Sequence, residues 1–203
     1  LCREAGIKPI LGVDIRNGDT SLYLLIAKNN DGLFWINTFL SEHLIANKEF
    51  PQFPNSSNDT FVVYPLNSKA INELLPNERI GIKPYEVASL FKFEATEHYV
   101  INQPVVVQDK QHFYLHCLLR SIDNNQLLSA LQPEQCCHRE DTFLSPSKLL
   151  NTFKQFPILV TNTYKLLDAC NIEMDFNLDK NRSVYVGSKK DDFVLLEKLS
   201  RAG

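Results

Sequence analysis

Short apolar runs alternate with segments of helical periodicity through the first half of this 203-residue sequence. Five runs have the length and the β-branched or aromatic content of strands; they cover residues 10–15, 21–27, 61–64, 79–82 and 103–107. Strands that alternate with helices are typical of a layered α/β domain or of a barrel. The sequence therefore predicts an α/β fold.

The first predicted strand follows a helix stop. Gly6 can adopt the left-handed conformation that ends a helix, and Pro9 prevents further helix. The apolar residues between positions 10 and 15 predict a strand that is buried on both faces. Asp14 lies at its end, where α/β barrels usually carry their chemistry. An Asn-Gly turn follows, so the next strand should be antiparallel to the first.

Apolar residues at helical spacing predict several helices. Asn30 or Asp31 should cap the first of them, and Ser145 with Pro146 should begin a later one. The predicted helix over residues 85–93 turns inward Val87, Leu90 and Phe91. The predicted helix over residues 113–122 carries Phe113, Cys117, Leu118 and Ile122 on one side. A last helix, over residues 191–203, carries an apolar face without a predicted partner, formed by Phe193, Val194, Leu196 and Leu199.

Composition excludes several classes of protein. The net charge of −3 gives no overall basic surface for nucleic acid. No apolar run approaches the ~20 residues of a membrane helix, so we expect no membrane partner. Five cysteines, an odd number without framework spacing, suggest reduced thiols and a cytoplasmic protein. The sequence contains neither a Gly-rich phosphate loop nor the Asp-x-Asp pair that a polymerase palm needs for magnesium.

Three ordered segments resemble one family. Residues 3–16, REAGIKPILGVDIR, resemble the third-strand region of the PHP (polymerase and histidinol phosphatase) domain of bacterial DNA polymerase III alpha subunits, which ends in Gly-x-Glu or Gly-x-Asp. Residues 25–41, LIAKNNDGLFWINTFLS, are similar to its strand that ends in Ala-x-Asn and continues into a helix. Residues 143–173 are similar to its closing helices, with their Asn-Thr and Cys-Asn pairs.

The resemblance implies an incomplete, distorted (β/α) barrel of PHP type with C-terminal helices. Residues 1–123 would form its strand and helix part. Residues 124–203 would form closing helices that lead towards the polymerase body, within one structural domain overall. Because the sequence begins with the apparent end of a helix, we expect an N-terminally truncated fragment of a longer polypeptide.

The resemblance also identifies candidate metal ligands. Phosphoesterases of this family hold two or three metal ions through His, Asp and Glu, and the ions activate a water for attack on phosphate. Asp14 matches the acidic position of Gly-x-Glu, although a strand-end carboxylate can also cap a turn. Asp109 and His112 correspond to the family's Asn-Asp-x-His. When the histidines are aligned, the metal-binding aspartate is replaced by Lys110, which would repel a metal ion.

These three positions therefore predict a vestigial metal site, with Asp109 and His112 as surface or helix-capping groups. The run Cys136-Cys137-His138 is a weaker candidate for a zinc site, because adjacent cysteines point apart and no second Cys/His pair has ligand spacing. His116-Cys117 has the ordinary interpretation of half-buried helix residues. We expect no cofactor in this fragment; a complete PHP site would hold zinc or manganese.

The predicted function is a structural or partner-binding scaffold within a replicative polymerase, whose nucleotidyl transfer is carried out by other domains. The resemblance implies as partners the rest of the alpha chain, a proofreading subunit, and DNA through the parent protein. The alternative is a metal-dependent phosphoesterase or 3′–5′ exonuclease whose other ligands lie upstream. A third possibility is a free-standing binding domain. An open sheet edge and apolar helix faces also predict self-association of the fragment.

Overall fold

The computed structural model describes Cys2 and residues 4–92, 97–174 and 184–202. The chain divides into two compact units, Leu1–Ile172 and Glu173–Gly203. The first unit contains the sheet and most of the helices. The sequence predicts two parts of one domain, residues 1–123 and 124–203. The division after Ile172 does not test that boundary, which stays a prediction.

A five-stranded mixed sheet forms the centre of the first unit. Its strands are β1 (Gly12–Asn17), β2 (Thr20–Ala27), β3 (Thr60–Pro65), β4 (Glu78–Ile82) and β5 (Tyr99–Ile101), and they lie side by side in chain order. The pairs β1–β2 and β2–β3 are antiparallel, whereas β3–β4 and β4–β5 are parallel. The predicted α/β class is confirmed, since the structure combines a mixed sheet with helices.

Strand β1 lies at an edge of the sheet, and the burial pattern of its side chains corrects one prediction. The turn at Gly18, with a φ of 59°, joins β1 to β2 as the antiparallel hairpin that the sequence predicts. Burial on both faces of β1 is wrong: Ile15 is buried, but Asp14 and Arg16 are exposed. Successive side chains of a strand point to opposite faces of the sheet, and in β1 the face that carries Val13 and Ile15 packs against the core.

Side chains of the inner strands alternate between two hydrophobic clusters, because successive residues of a strand point to opposite faces. In β3, Val62 and Tyr64 belong to the first cluster, and Phe61 and Val63 to the second. Helix α1 (Asn30–Ile45) contributes Ile36 and Phe39 to the first cluster. The second cluster also contains Leu166, which lies in a later helix, and Cys170, which follows that helix.

The remaining described helices follow the sheet. They are α2 (Lys110–Asp123), α3 (Pro146–Thr152), α4 (Pro157–Asp168) and, in the second unit, α5 (Lys189–Ala202). Short 3₁₀ helices cover Ile71–Glu73, Pro84–Lys92, Leu128–Ala130 and Pro133–Gln135. Ser145 and Pro146 begin α3 as predicted. Among the described residues, no helix has both the length and the apolar content needed to cross a bilayer.

Asn29, and not Asn30 or Asp31, caps α1. Its side-chain oxygen accepts the backbone N–H of Gly32 at 2.9 Å, as an N-cap residue should. Its amide nitrogen donates to Asp59 Oδ1 at 2.8 Å, which fixes the side chain in this orientation. The prediction was wrong by one or two positions because a contact from a distant loop selects the capping residue.

Residues 103–107 do not form the predicted buried strand. Val107 makes an isolated parallel bridge with Thr142, while Val105 and Val106 are half exposed. The position beside β4 is already occupied by β5 (Tyr99–Ile101). Pro104 then removes a backbone donor just beyond β5, so the chain leaves the sheet there.

Two predicted helical faces also require correction. Residues Pro84–Lys92 form a 3₁₀ helix with three residues per turn, so Leu90 is buried whereas Phe91 is exposed; residues 93–96 lie outside the described part of the chain. In α2, Leu118 and Ile122 face solvent and not the core. The apolar residues predicted for the face of α5 are exposed, as Phe193 illustrates at 66%.

Candidate functional site

Asp14 is held within the β1–β2 hairpin. It is the third of six residues of β1 and does not end the strand, contrary to the prediction. Its Oδ2 accepts from Arg16 Nε at 2.6 Å, and its Oδ1 accepts from Ser21 Oγ at 2.9 Å. The carboxylate thus links the two strands, and the Arg16 guanidinium already neutralises the charge that a metal ion would use.

Asp109 is the N-cap of α2. Its Oδ1 accepts the backbone N–H groups of Gln111 at 2.8 Å and of His112 at 3.0 Å. His112 Nδ1 lies 2.9 Å from the same oxygen. Hydrogen bonds from the backbone and the ring of His112 lower the pKa of Asp109 from its ordinary value. This is the helix-capping arrangement that the sequence offered beside the ligand interpretation.

The metal centre that the resemblance implies would need several ligand side chains close together. Among the described residues, no three His, Cys, Asp or Glu side chains gather into a group that could hold a metal ion. The carboxylates of Asp14 and Asp109 serve a hairpin and a helix N-terminus, respectively. These residues alone therefore do not fit a di- or trinuclear centre, and no catalytic step follows from them.

The fold brings the two Cys/His pairs together, which their sequence spacing did not reveal. His116 Nε2, on α2, accepts the backbone N–H of Cys137 at 3.1 Å. Burial raises the pKa of Cys136 to about 11, with the nearby Cys117 adding to the shift, and burial also raises the pKa of Cys137. Both shifts favour the protonated thiol over the thiolate.

Sequence reasoning missed a buried ionic cluster between β3 and β4, which we call the Glu78 cluster (Tyr64, Lys69, Glu78). The Glu78 side chain is 1% exposed. Its Oε2 lies 2.6 Å from Lys69 Nζ and accepts the Leu75 N–H at 2.8 Å, and its Oε1 accepts from the Tyr64 hydroxyl at 2.8 Å. A charged residue at the start of a short strand gives no signal of partners that lie nine and fourteen residues away.

Electrostatics within the Glu78 cluster favour the ion pair. Burial alone would raise the pKa of Glu78, but the hydrogen bonds from Leu75, Lys69 and Tyr64 and the charge of Lys69 together hold it below its ordinary value. Burial and the neighbouring carboxylate raise the pKa of Tyr64. Tyr64 therefore remains a hydrogen-bond donor to Glu78 at neutral pH.

An open pocket of about 670 Å³ lies beside the Glu78 cluster. Residues 66–73 form one wall, and Phe53, Ile80 and Tyr99 contribute apolar side chains to it. Lys69 is the cation of this wall, but its ammonium is already paired with Glu78 and lies over the rings of Phe53 and Tyr64. The pocket therefore offers no uncompensated charge to an ionic substrate through Lys69.

The three segments that carry the family resemblance are in direct contact. Leu11, from the first segment, accepts the backbone N–H of Ala27 in the second at 2.9 Å. Lys28, also in the second, accepts the backbone N–H of Asn171 in the third at 2.6 Å. Lys8 Nζ closes the arrangement by donating to the carbonyls of Leu167 and Asp168 at 2.9 and 3.0 Å. These residues join segments far apart in sequence.

The Asn-Thr pair of the third segment attaches α4 to β5. Asn162 is buried, and its Nδ2 donates to the Tyr99 carbonyl at 2.9 Å. Thr163 Oγ1 accepts the Ile101 N–H at 2.8 Å and donates to Leu159 within α4. Since β5 ends the sheet, this pair satisfies backbone groups that would otherwise be left without partners at a covered edge. Its role is architectural.

Comparison with known proteins does not identify the family. No protein-family model and no curated protein matches the sequence.

Proposed function

We propose that this chain is the PHP region of a bacterial DNA polymerase III alpha subunit, and that it serves as a structural or partner-binding scaffold with a degenerate metal site. The parent protein would carry out DNA-directed DNA synthesis through other domains. The five-stranded sheet would be the open part of an incomplete PHP-type barrel. The proposal places the protein in the bacterial cytoplasm.

The observation that carries the proposal is the contact among the three resembling segments. Similarity spread over unrelated surface positions would have little meaning. Here the backbone of Leu11 in the first segment bonds to the second segment, and the backbone of Lys28 in the second bonds to Asn171 in the third. Lys8 adds a side-chain link between the first and the third. The residues that prompted the resemblance thus build one structural unit, which is what residues common to a fold family would do.

The chemistry of the candidate ligands favours a scaffold over an enzyme. Asp14 pairs with Arg16 in a hairpin, and Asp109 caps α2 through its Oδ1, which accepts two backbone N–H groups and lies within hydrogen-bond distance of His112 Nδ1. A general base or metal ligand needs an available lone pair directed towards a cleft. Neither carboxylate lines the pocket beside the Glu78 cluster. We propose the remainder of the alpha chain and a proofreading subunit as partners.

The coding sequence on either side of this segment tests the proposal directly. A continuous reading frame that encodes a polymerase palm with an Asp-x-Asp pair downstream would support it. A frame that closes soon after Gly203 without a polymerase would contradict it and favour a free-standing binding domain. Upstream His-x-His and Thr-Asp-His-like motifs would instead favour the metal-dependent phosphoesterase.

A biochemical test separates the scaffold from the enzyme. The purified chain is assayed for hydrolysis of bis-p-nitrophenyl phosphate with added Mn²⁺ or Zn²⁺, and its metal content is measured. We expect no turnover above that of the Asp109→Asn variant, in which the asparagine still caps α2. Metal-dependent turnover that Asp109→Asn abolishes, while the circular dichroism spectrum is unchanged, would contradict the scaffold proposal.

A further inference from the structure

Helix α2 presents an apolar surface to solvent. Its outward positions, together with the turn that follows, carry seven large apolar side chains whose exposed fractions run from 47% for Leu118 to 75% for Leu127. We call this the α2 surface; it consists of Tyr114, Leu115, Leu118, Leu119, Ile122, Leu127 and Leu128. The 3₁₀ helix that begins at Leu128 packs against α2, so the surface is continuous. Contiguous patches of this kind mark interaction sites.

Polar contacts fix α2 in this orientation. Its inward side carries His116, Arg120 and Ser121, of which Ser121 is buried. Arg120 Nε donates to the Gln135 carbonyl at 2.8 Å, and Arg120 Nη2 lies 2.6 Å from Asp19 Oδ1. His116 accepts a backbone N–H from the same loop. Because these bonds hold the polar side against the protein, rotation of the helix cannot bury the leucines.

We propose that the α2 surface binds a second copy of this chain through antiparallel packing of the two α2 helices. The pattern is self-complementary about the midpoint between Leu118 and Leu119. A two-fold axis at that midpoint places Leu118 opposite Leu119 of the second copy, and Leu115 opposite Ile122 of the second copy. Antiparallel packing also sets the positive N-terminal end of each helix beside the negative C-terminal end of the other.

The area of the α2 surface is what a stable dimer needs. A fully exposed large apolar side chain contributes roughly 120 Å², so the observed exposures correspond to about 500 Å² per copy, or about 1,000 Å² for two copies. Specific interfaces bury about 1,200–2,000 Å², of which roughly 60% is apolar, that is about 700–1,200 Å². The patch therefore supplies the apolar part of a standard interface without another partner.

Charged variants at the two-fold axis test the surface and the register together. Leu118→Glu and Leu119→Lys each place like charges near one another across the axis, so each variant alone should dissociate. An equimolar mixture sets glutamate opposite lysine and should recover the dimer. Leu44→Glu is the matched control, because Leu44 is 67% exposed on α1, outside the α2 surface. The wild type, the three variants and the mixture are all whole chains, measured by sedimentation equilibrium with circular dichroism as the folding control.

We expect the wild type to dimerise within the range of about 1–200 µM, and each charged variant to raise the dissociation constant by at least about 100-fold. The mixture should recover most of this loss, and Leu44→Glu should change nothing. A monomeric wild type at 200 µM, dimers that survive Leu118→Glu, equal weakening by Leu44→Glu, or a mixture without recovery would each overturn the proposal. If a charged variant loses its helical signal, Leu115→Glu and Ile122→Lys form the equivalent pair.

Discussion

Among the described residues, Glu78 is the most deeply buried charged residue, and replacing it with glutamine tests what its ion pair contributes to stability. The carboxylate accepts from Lys69, Tyr64 and the Leu75 N–H, and its side chain is 1% exposed while that of Lys69 is 11% exposed. In Glu78→Gln, the amide oxygen can still face the Lys69 ammonium, but the ammonium is left without a countercharge and the amide NH2 lies beside the Tyr64 hydroxyl. Removing one partner of a buried ion pair costs about 3–5 kcal/mol. We expect about 3 kcal/mol, since the remaining acceptor oxygen can retain one of the other bonds.

A double-mutant cycle separates this pair from general damage. Lys69→Met alone should also destabilise the fold, and the double variant Glu78→Gln/Lys69→Met should cost less than the sum of the two single changes, by about 1.5–3 kcal/mol. Urea unfolding followed by the fluorescence of the single tryptophan, Trp35, gives each free energy of unfolding. A coupling below about 0.5 kcal/mol would refute the assignment of a buried ion pair here, because that value is typical of exposed pairs.

The pH dependence provides an independent check with a definite sign. The pKa of Glu78 is lower in the folded protein than its ordinary value. Its stabilising contribution is therefore fully present above the unfolded pKa, near ~4.3, and is lost as the pH falls towards the folded value. The difference in unfolding free energy between the wild type and Glu78→Gln should narrow over this acidic range. A difference that stays constant down to acid unfolding would contradict the lowered pKa.

Two further substitutions test local contacts. In Gly32→Ala, the new Cβ would clash with the backbone oxygen of Asp59, which cannot move aside as the end of a side chain can. Thermal unfolding should show that the free energy of unfolding falls by about 2–4 kcal/mol, and a near-neutral result would contradict this packing of α1. Thr163→Val removes the acceptor of the Ile101 N–H and should cost about 1–3 kcal/mol in urea unfolding. The control is Thr161→Val, on the exposed side of the same helix, and equal losses for both would refute an anchoring role.

Local signals predicted the parts of the fold that local chemistry decides. The Asn-Gly turn specified the β1–β2 hairpin, because Gly18 adopts the positive φ that such a turn needs. Ser145 and Pro146 began α3 at the predicted position, since a side-chain cap and a fixed φ act within one helical turn. Predictions of this kind depend on residues that are neighbours in sequence and need no knowledge of the tertiary structure.

Helix α2 shows where such reasoning fails. Apolar residues occupy most of its circumference, so periodicity identifies a helix but cannot decide which side faces the protein. The decision comes from Arg120, which reaches Gln135 and Asp19. Asp19 is 101 residues from Arg120 in sequence. Tertiary contacts of this length override local pattern, so Leu118 and Ile122 face solvent although the sequence grouped them on one side with the less exposed Phe113 and Cys117.

The candidate site divides in the same way. Sequence matching located Asp14, Asp109 and His112, and it offered capping as the alternative role for the last two. The hydrogen bonds of Asp109 fit that alternative. The Glu78 cluster had no sequence signal, because Tyr64 and Lys69 resemble ordinary strand and loop residues until the parallel pairing of β3 with β4 brings Glu78 beside them.

The order of strands in the sheet has a consequence for synthesis on the ribosome. Each strand after β1 hydrogen-bonds to the strand translated just before it, so the sheet can lengthen stepwise at a single edge while later residues are still in the exit tunnel. The bonds of Lys28 with Asn171 and of Lys8 with Leu167 and Asp168 must wait for distant partners, since they join the start of the first unit to its end. We therefore expect nascent chains released before α4 to retain paired strands yet remain sensitive to protease, and resistance to appear once Asn171 has emerged.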